Sequence, residues 1–223
     1  MNFLTHRASC REIVVAVSLV IASGAWGADE AAPVQKPDVK VGDQWTYRIT
    51  SYRTNVPQVS TANVQVTFVG PDSIVTVTTD GKGPDRDSQY TSEWNALSLS
   101  SGQVFEKPQR FYRFPLRAGD SYPFTFEAVA MRGSTDRWRS EGETKVLGWE
   151  DITVPAGKFR ALKLDISNTF RGLSSSFFGW ARREVWYVPE IKRWVKGTYA
   201  EGDHGKSWPN VKAETELLEY KVQ

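Results

Sequence analysis

Cysteine and histidine are almost missing from this chain, and their scarcity excludes several kinds of chemistry. Among 223 residues there is one cysteine, Cys10, and there are two histidines, His6 and His204. A single cysteine closes no disulfide within the chain. A zinc site needs several Cys or His ligands, so the expectation is no metal and no cofactor. A nucleophilic triad needs an imidazole beside Ser or Cys. His204 lies in a polar, glycine-bearing loop next to Asp203, and sequence neighbours on an extended chain point apart. No Gly-x-Ser-x-Gly elbow occurs anywhere. Charge of one sign is also lacking, with 28 basic against 26 acidic residues, which argues against a nucleic-acid binder and its clustered basic excess.

Long apolar runs are confined to the N-terminus. Arg7 and Arg11 precede the apolar run 13–22, and Ala25-Trp26-Gly27 places small residues before Ala28. Basic start, short apolar stretch and small-residue cleavage site, in that order, predict a secretory signal over 1–27. The run breaks at Ser23-Gly24, short of the roughly 20 apolar residues of a membrane-spanning helix. After cleavage, no transmembrane segment is expected. Cys10 precedes the apolar run and leaves with the signal, and the expected location is periplasmic or secreted. Residues 28–38, small, polar and punctuated by Pro33 and Pro37, read as a flexible leader.

Helical periodicity is the next absence. From residue 39 onward, apolar residues recur every second position, as in Trp45/Tyr47/Ile49, Val64/Val66/Phe68, Tyr122/Phe124/Phe126/Ala128, Leu162/Leu164/Ile166 and Leu218/Tyr220/Val222. That alternation marks half-buried strands. Turn residues such as Gly70-Pro71-Asp72, Asp80-Gly81, Ser101-Gly102 and Pro155-Ala156-Gly157 separate the runs. Without helices to make crossovers the sheet must be antiparallel. The reading is an all-β domain over 39–223: one curved antiparallel sheet or half-barrel of about ten strands.

Val39-Lys40-Val41-Gly42-Asp43-Gln44-Trp45 has an echo in Leu116-Arg117-Ala118-Gly119-Asp120-Ser121-Tyr122. Gly70 and Gly148 follow at similar distances, and Glu93-Trp94 pairs with Val185-Trp186 in the same scheme. The halves 39–114 and 115–223 are then two copies of one β unit, or a β protein reusing Gly-Asp turns.

The segment 148–196 carries a family resemblance. Val154-Pro155-Ala156-Gly157-Lys158-Phe159 and Trp186-Tyr187-Val188-Pro189-Glu190 are similar to a motif pair of uncharacterised exported bacterial β proteins, a VPAG-x-aromatic turn and a WY-x-P strand end. Those proteins distantly resemble the half-barrels of periplasmic lipoprotein carriers. The resemblance implies a fold and an exported location, and no activity.

Candidate binding residues are aromatic. The loop 171–180 joins two strands yet holds Leu173, Phe177, Phe178 and Trp180 among Gly and Ser, so it either plugs the core or meets a ligand, membrane or partner. Arg137-Trp138-Arg139 and Lys192-Arg193-Trp194-Val195-Lys196 alternate cations with Trp138 and Trp194, and Trp186 stands nearby. Such stripes read as solvated strand faces or as a surface for an anionic head group. The three carboxylates of Asp80, Asp85 and Asp87 share a turn with Lys82 and Arg86, which neutralise a would-be cation site. The first functional expectation is a non-catalytic cell-envelope protein binding a lipid or other apolar small molecule. The alternatives are an interaction module docking an envelope protein partner through its aromatic loop or an edge strand, and a hydrolase built on strand-borne carboxylates such as Asp165 and Glu184.

Overall fold

A computed structural model of the chain describes residues 32–52, 56–81, 83–130 and 136–223. The signal, the first part of the leader and Lys82 lie outside the described residues. Twelve strands follow in order: β1 (Gln44–Ser51), β2 (Gln58–Val69), β3 (Ser73–Thr79), β4 (Arg86–Thr91), β5 (Ala96–Ser98), β6 (Gln103–Phe105), β7 (Ser121–Ala130), β8 (Arg137–Val154), β9 (Gly157–Gly172), β10 (Phe178–Val188), β11 (Arg193–Asp203) and β12 (Val211–Lys221). Each pairs antiparallel with its sequence neighbours, and β1 pairs with β12 from Gln44↔Lys221 to Ser51↔Ala213, closing a barrel. Among the described residues no helix is long and apolar enough to cross a membrane.

The all-β antiparallel class is as expected, whereas the half-barrel of about ten strands is corrected to a closed barrel of twelve. β5 and β6 have three residues each, too short to print an alternation on the sequence. Closure is a long-range pairing that no local pattern announces. It also removes the terminal edges of the barrel wall, so strand addition to an open sheet edge has no template there.

Alternation works where a strand is regular. On β7, Tyr122, Phe124, Phe126 and Ala128 are buried while Ser121, Pro123 and Thr125 face water. It fails at bulges. The β2–β3 register slips at Thr67, which throws Phe68 out to 53% exposure although Val64 and Val66 are buried. On β12 a slip opposite Thr46/Tyr47 makes Leu217 the fully buried residue and leaves Tyr220 at 44% exposure.

The repeated Gly-Asp segments fold alike. The Asp43 amide donates to the Lys40 carbonyl, Gly42 N–H to Val66 O, and Val66 N–H back to Asp43 O. Asp120 to Arg117, Gly119 to Val146 and Val146 to Asp120 repeat the set, with Gly42 at φ 94° and Gly119 at φ 90°. A bulge follows in each case, after Val66 and after Val146. The counterpart of Val146 is therefore Val66, which shifts the Gly70–Gly148 correspondence by two residues. Glu93 and Trp94 fall in the turn after β4, whose match is the 3-10 turn Pro189–Ile191 after β10, not the strand residues Val185 and Trp186. The two Gly-Asp turns differ in burial. Asp43 is fully buried and accepts from Lys40 N (2.9 Å), Gln223 N (2.9 Å) and Lys192 Nζ (3.0 Å), tying the first turn to the C-terminus and to the β10–β11 turn. Asp120 is exposed.

Two segments wrap onto this frame. Val34, in the stretch read as leader, exchanges two 2.8 Å backbone bonds with Leu116 and is buried. Past the bulge at Leu147, the β8–β9 hairpin runs on as an arm that reaches β12. There the Ala156 N–H donates to Leu217 O at 3.0 Å and Phe159 meets Tyr220 with ring centroids 6.2 Å apart. Pro155 and Ala156 form the arm's tip, with Gly157 at φ 140° starting the return strand. Val154 and Ala161 of the arm share one apolar cluster with Trp186, Val188, Val195 and Leu217. Burying a side chain such as Leu217 contributes about 1.5–3 kcal/mol, so the arm is part of the core.

Candidate functional site

The segment between β6 and β7 folds into the barrel. Phe111 is buried against Phe124 and Phe126, with ring centroids 4.9 and 5.9 Å away, and its carbonyl accepts from Tyr122 Oη (3.0 Å) and Thr144 Oγ1 (3.1 Å). Asn95 holds the next residue from both sides: its Nδ2 donates to Tyr112 O and its Oδ1 accepts from Tyr112 N, each at 2.8 Å. This plug fills part of the interior and leaves the rest open.

A cavity of about 260 Å³ remains, walled by Tyr90, Trp94, Tyr112, Tyr187, Trp194 and Tyr199. A second space of about 220 Å³ adjoins it, and Gln109, Arg183 and Tyr199 line both. Phe126, Trp138, Phe170 and Phe177 wall the second space. The first has the mainly apolar, aromatic lining usual for a small-molecule pocket, whereas the second also carries Gln103, Ser140, Asn168 and Glu201.

Two guanidiniums face this interior. Arg193, 7% exposed, lies against four rings, with its Cζ 4.5 Å from the centroid of Trp94, 5.1 Å from Trp45, and 5.8 Å from each of Tyr90 and Trp194. Its Nε and Nη1 are buried without a hydrogen-bond partner. The surrounding first-half rings are fixed by donating to the backbone next to it: Trp45 Nε1 to Ile191 O (3.0 Å), Trp94 Nε1 to Lys192 O (2.9 Å) and Tyr47 Oη to Trp194 O (2.9 Å). Arg183 sits between Phe111 and Tyr199 at 5.1 and 4.5 Å and donates to Asn168 Oδ1 at 3.4 Å. Burial holds the Arg183 guanidinium below its ordinary pKa. Burial likewise pushes the Tyr47, Tyr112 and Tyr187 hydroxyls above the ordinary phenol value, and the Tyr122 hydroxyl up to about 12.

The residues singled out from the sequence separate into two groups. Trp194 lines the first cavity, stacked on Tyr47 at 4.3 Å, and Trp138 and Phe177 line the second. The others are elsewhere. Trp186 donates to Glu150 Oε2 at 2.9 Å with Lys163 over its ring at 4.7 Å. Trp180 donates to Lys206 O and packs on Gly202. Phe178 stacks on His204 at 4.0 Å, and Leu173 and Phe178 are 43% and 44% exposed. The stripe 192–196 is no solvated face: Arg193 and Val195 are buried, and the β10–β11 register slips at Val195. Sequence reasoning missed Arg193 and Arg183 as interior groups, together with Tyr90, Trp94, Tyr112, Tyr187 and Tyr199. The one available signal was the placement of Arg183 between Ala181 and Val185 in the period-two series that continues to Tyr187.

The carboxylates thought of for hydrolysis do face each other, Glu184 opposite Asp165. Each already has a cation: Lys163 Nζ is 3.0 Å from Glu184 and Arg182 Nη2 is 3.0 Å from Asp165. Asp203, beside His204, holds Lys206 and Asn210. In the acidic turn, Asp80 pairs with Arg86, and Asp85 accepts from Thr79 Oγ1.

No protein-family model matches the chain, and no curated protein matches it. Four solved chains do match. A candidate lipoprotein from Parabacteroides distasonis is 14% identical with a TM-score of 0.51, the match covering 85% of this chain and all of that one. A candidate exported protein with a YmcC-like fold from Bacteroides fragilis is 15% identical (TM-score 0.49, 85% and 100% covered), and the hypothetical lipoprotein YmcC of Escherichia coli is 7% identical (TM-score 0.46, 81% and 86% covered). The first of these shares the fold with this chain.

Proposed function

We infer that this protein is exported to the cell envelope, periplasmic or secreted, and acts there without catalysis by binding an apolar or amphiphilic molecule inside its barrel. The observation that carries the reading is the aromatic-walled cavity of about 260 Å³ continuing past Arg183 into the second space. A closed barrel with a plug could pack its interior solid, as small barrels do. Here the plug stops at Phe111 and Tyr112, and rings make up much of the remaining wall beside Leu99, Gln109, Ile166 and Val185. The N-terminal signal features support export, and a fold shared with a candidate lipoprotein is in keeping with it.

Native mass spectrometry of the processed protein, purified from its own envelope, tests the reading. The expected spectrum contains the protein plus an amphiphile that is released on denaturation and recovered in an organic extract. Protein of bare mass that also takes up no added amphiphile would overturn it. A stoichiometric protein partner in place of a small molecule would favour the interaction-module reading.

A further inference from the structure

We propose that the barrel cavity selects amphiphiles with an oxyanionic head, carboxylate or phosphate, and that the Arg193 guanidinium is the group that binds the head. The proposal rests on the reading that the cavity takes an apolar or amphiphilic ligand and specifies its chemistry. Arg193 is 7% exposed, lines the cavity, and has two N–H-bearing nitrogens, Nε and Nη1, without acceptors. The indoles of Trp45 and Trp94 attract the cation through their ring faces, and an indole N–H is a donor only, so they offer no in-plane acceptor for those hydrogens. A buried donor left unmade costs about 1–3 kcal/mol, more for a charged group. A carboxylate or phosphate oxygen supplies what is missing, since a guanidinium presents its donors in a fork that matches two oxygens.

Among the charged groups lining the first cavity, Arg193 is the one with buried nitrogens that lack a partner among the described residues. Arg183 donates to Asn168. Glu201, in the second space, accepts the Tyr199 hydroxyl, and Glu184 is held by Lys163. No carboxylate pairs with Arg193 among the described residues. The rings beyond it, Tyr90, Trp94 and Trp194, give the apolar tail its wall.

The test is an isothermal calorimetric titration of the processed, delipidated protein at neutral pH with decanoate, monodecyl phosphate and 1-decanol. Decanoate or monodecyl phosphate should bind about tenfold or more tighter than decanol. Which of the two binds tighter distinguishes a fatty acid from a phosphate-headed lipid as the source of the head. Arg193→Met should abolish the difference while keeping decanol binding, and Arg117→Met, at an exposed position outside both spaces, should preserve it. Equal binding of all three by the native protein would overturn the anion preference and leave the apolar-ligand reading standing. Binding of none would overturn both. An Arg193→Met protein that still prefers the anions would remove Arg193 as the receptor.

Discussion

The turns that follow β4 and β10 are built alike and used differently. Each reverses the chain through a three-residue backbone bond, Trp94 N–H to Thr91 O and Lys192 N–H to Pro189 O. Each ends on a non-glycine residue in the left-handed region, Trp94 at φ 63° and Lys192 at φ 60°. Each delivers a polar residue to the interior next, Asn95 at 3% exposure and Arg193 at 7%. Asn95 is held on its donor and its acceptor side by the Tyr112 backbone, with Glu93 Oε2 a further 3.5 Å acceptor, whereas Arg193 has Nε and Nη1 without any partner. One backbone device thus closes the core in the first half of the barrel and leaves a charged donor open in the second. A polar group whose hydrogen bonds are complete stabilises the fold, and one left incomplete is held for something else.

Mutation separates the two roles. Asn95→Ala strands the Tyr112 N–H and C=O in the core and should destabilise the protein by about 3 kcal/mol in chemical denaturation. Wild-type-like stability of that variant would dissolve the contrast.

Alkaline pH probes the tyrosines around both turns. The hydroxyls of Tyr47, Tyr112, Tyr122 and Tyr187 are raised above their unfolded values by burial, so the folded state favours their protonated forms. Their contribution to stability is complete below about pH 10, the ordinary phenol value, and is lost as pH rises through the folded values, Tyr122's being about 12. The part of the tyrosinate absorbance that comes from these four should therefore rise in one cooperative step together with loss of the β circular-dichroism signal. Smooth titration of all tyrosines near pH 10 in a protein that stays folded would contradict their burial.

The smallest effect belongs to Arg193. Replacing a buried, unpartnered charge by an apolar side chain of similar length is commonly neutral or stabilising, so Arg193→Met should leave stability within about 1 kcal/mol or raise it. A loss as large as that of Asn95→Ala would make Arg193 a structural residue after all.

What could be read from the sequence was local. Tyr122, Phe124, Phe126 and Ala128 announce their strand because β7 is regular, and Pro155-Ala156-Gly157 announces its turn because only certain residues adopt those angles. Phe68 and Leu217 were misplaced for one shared reason: a bulge beside each shifts the period-two phase, whereas Arg193 is turned inward where the chain leaves the 189–191 turn. The missing strands β5 and β6, and the pairing of β1 with β12, depend on contacts between distant residues. Of the candidate site, the aromatic content was visible and Trp138, Phe177 and Trp194 were among the residues named. Which rings face inward was not visible, since Trp186 and Trp194 are alike in sequence setting and lie apart in the fold.

If the interior is a binding space, Gly197 offers direct access to it. A Cβ placed there would meet Glu184 O at 3.8 Å and the Trp194 ring at 3.9 Å, ordinary contacts, and the position lines the first cavity. Native mass spectra of the wild type and Gly197→Leu, expressed in the same envelope and compared at matched thermal stability, should show bound amphiphile on the first and little on the second. Equal loading of both proteins would contradict a binding interior.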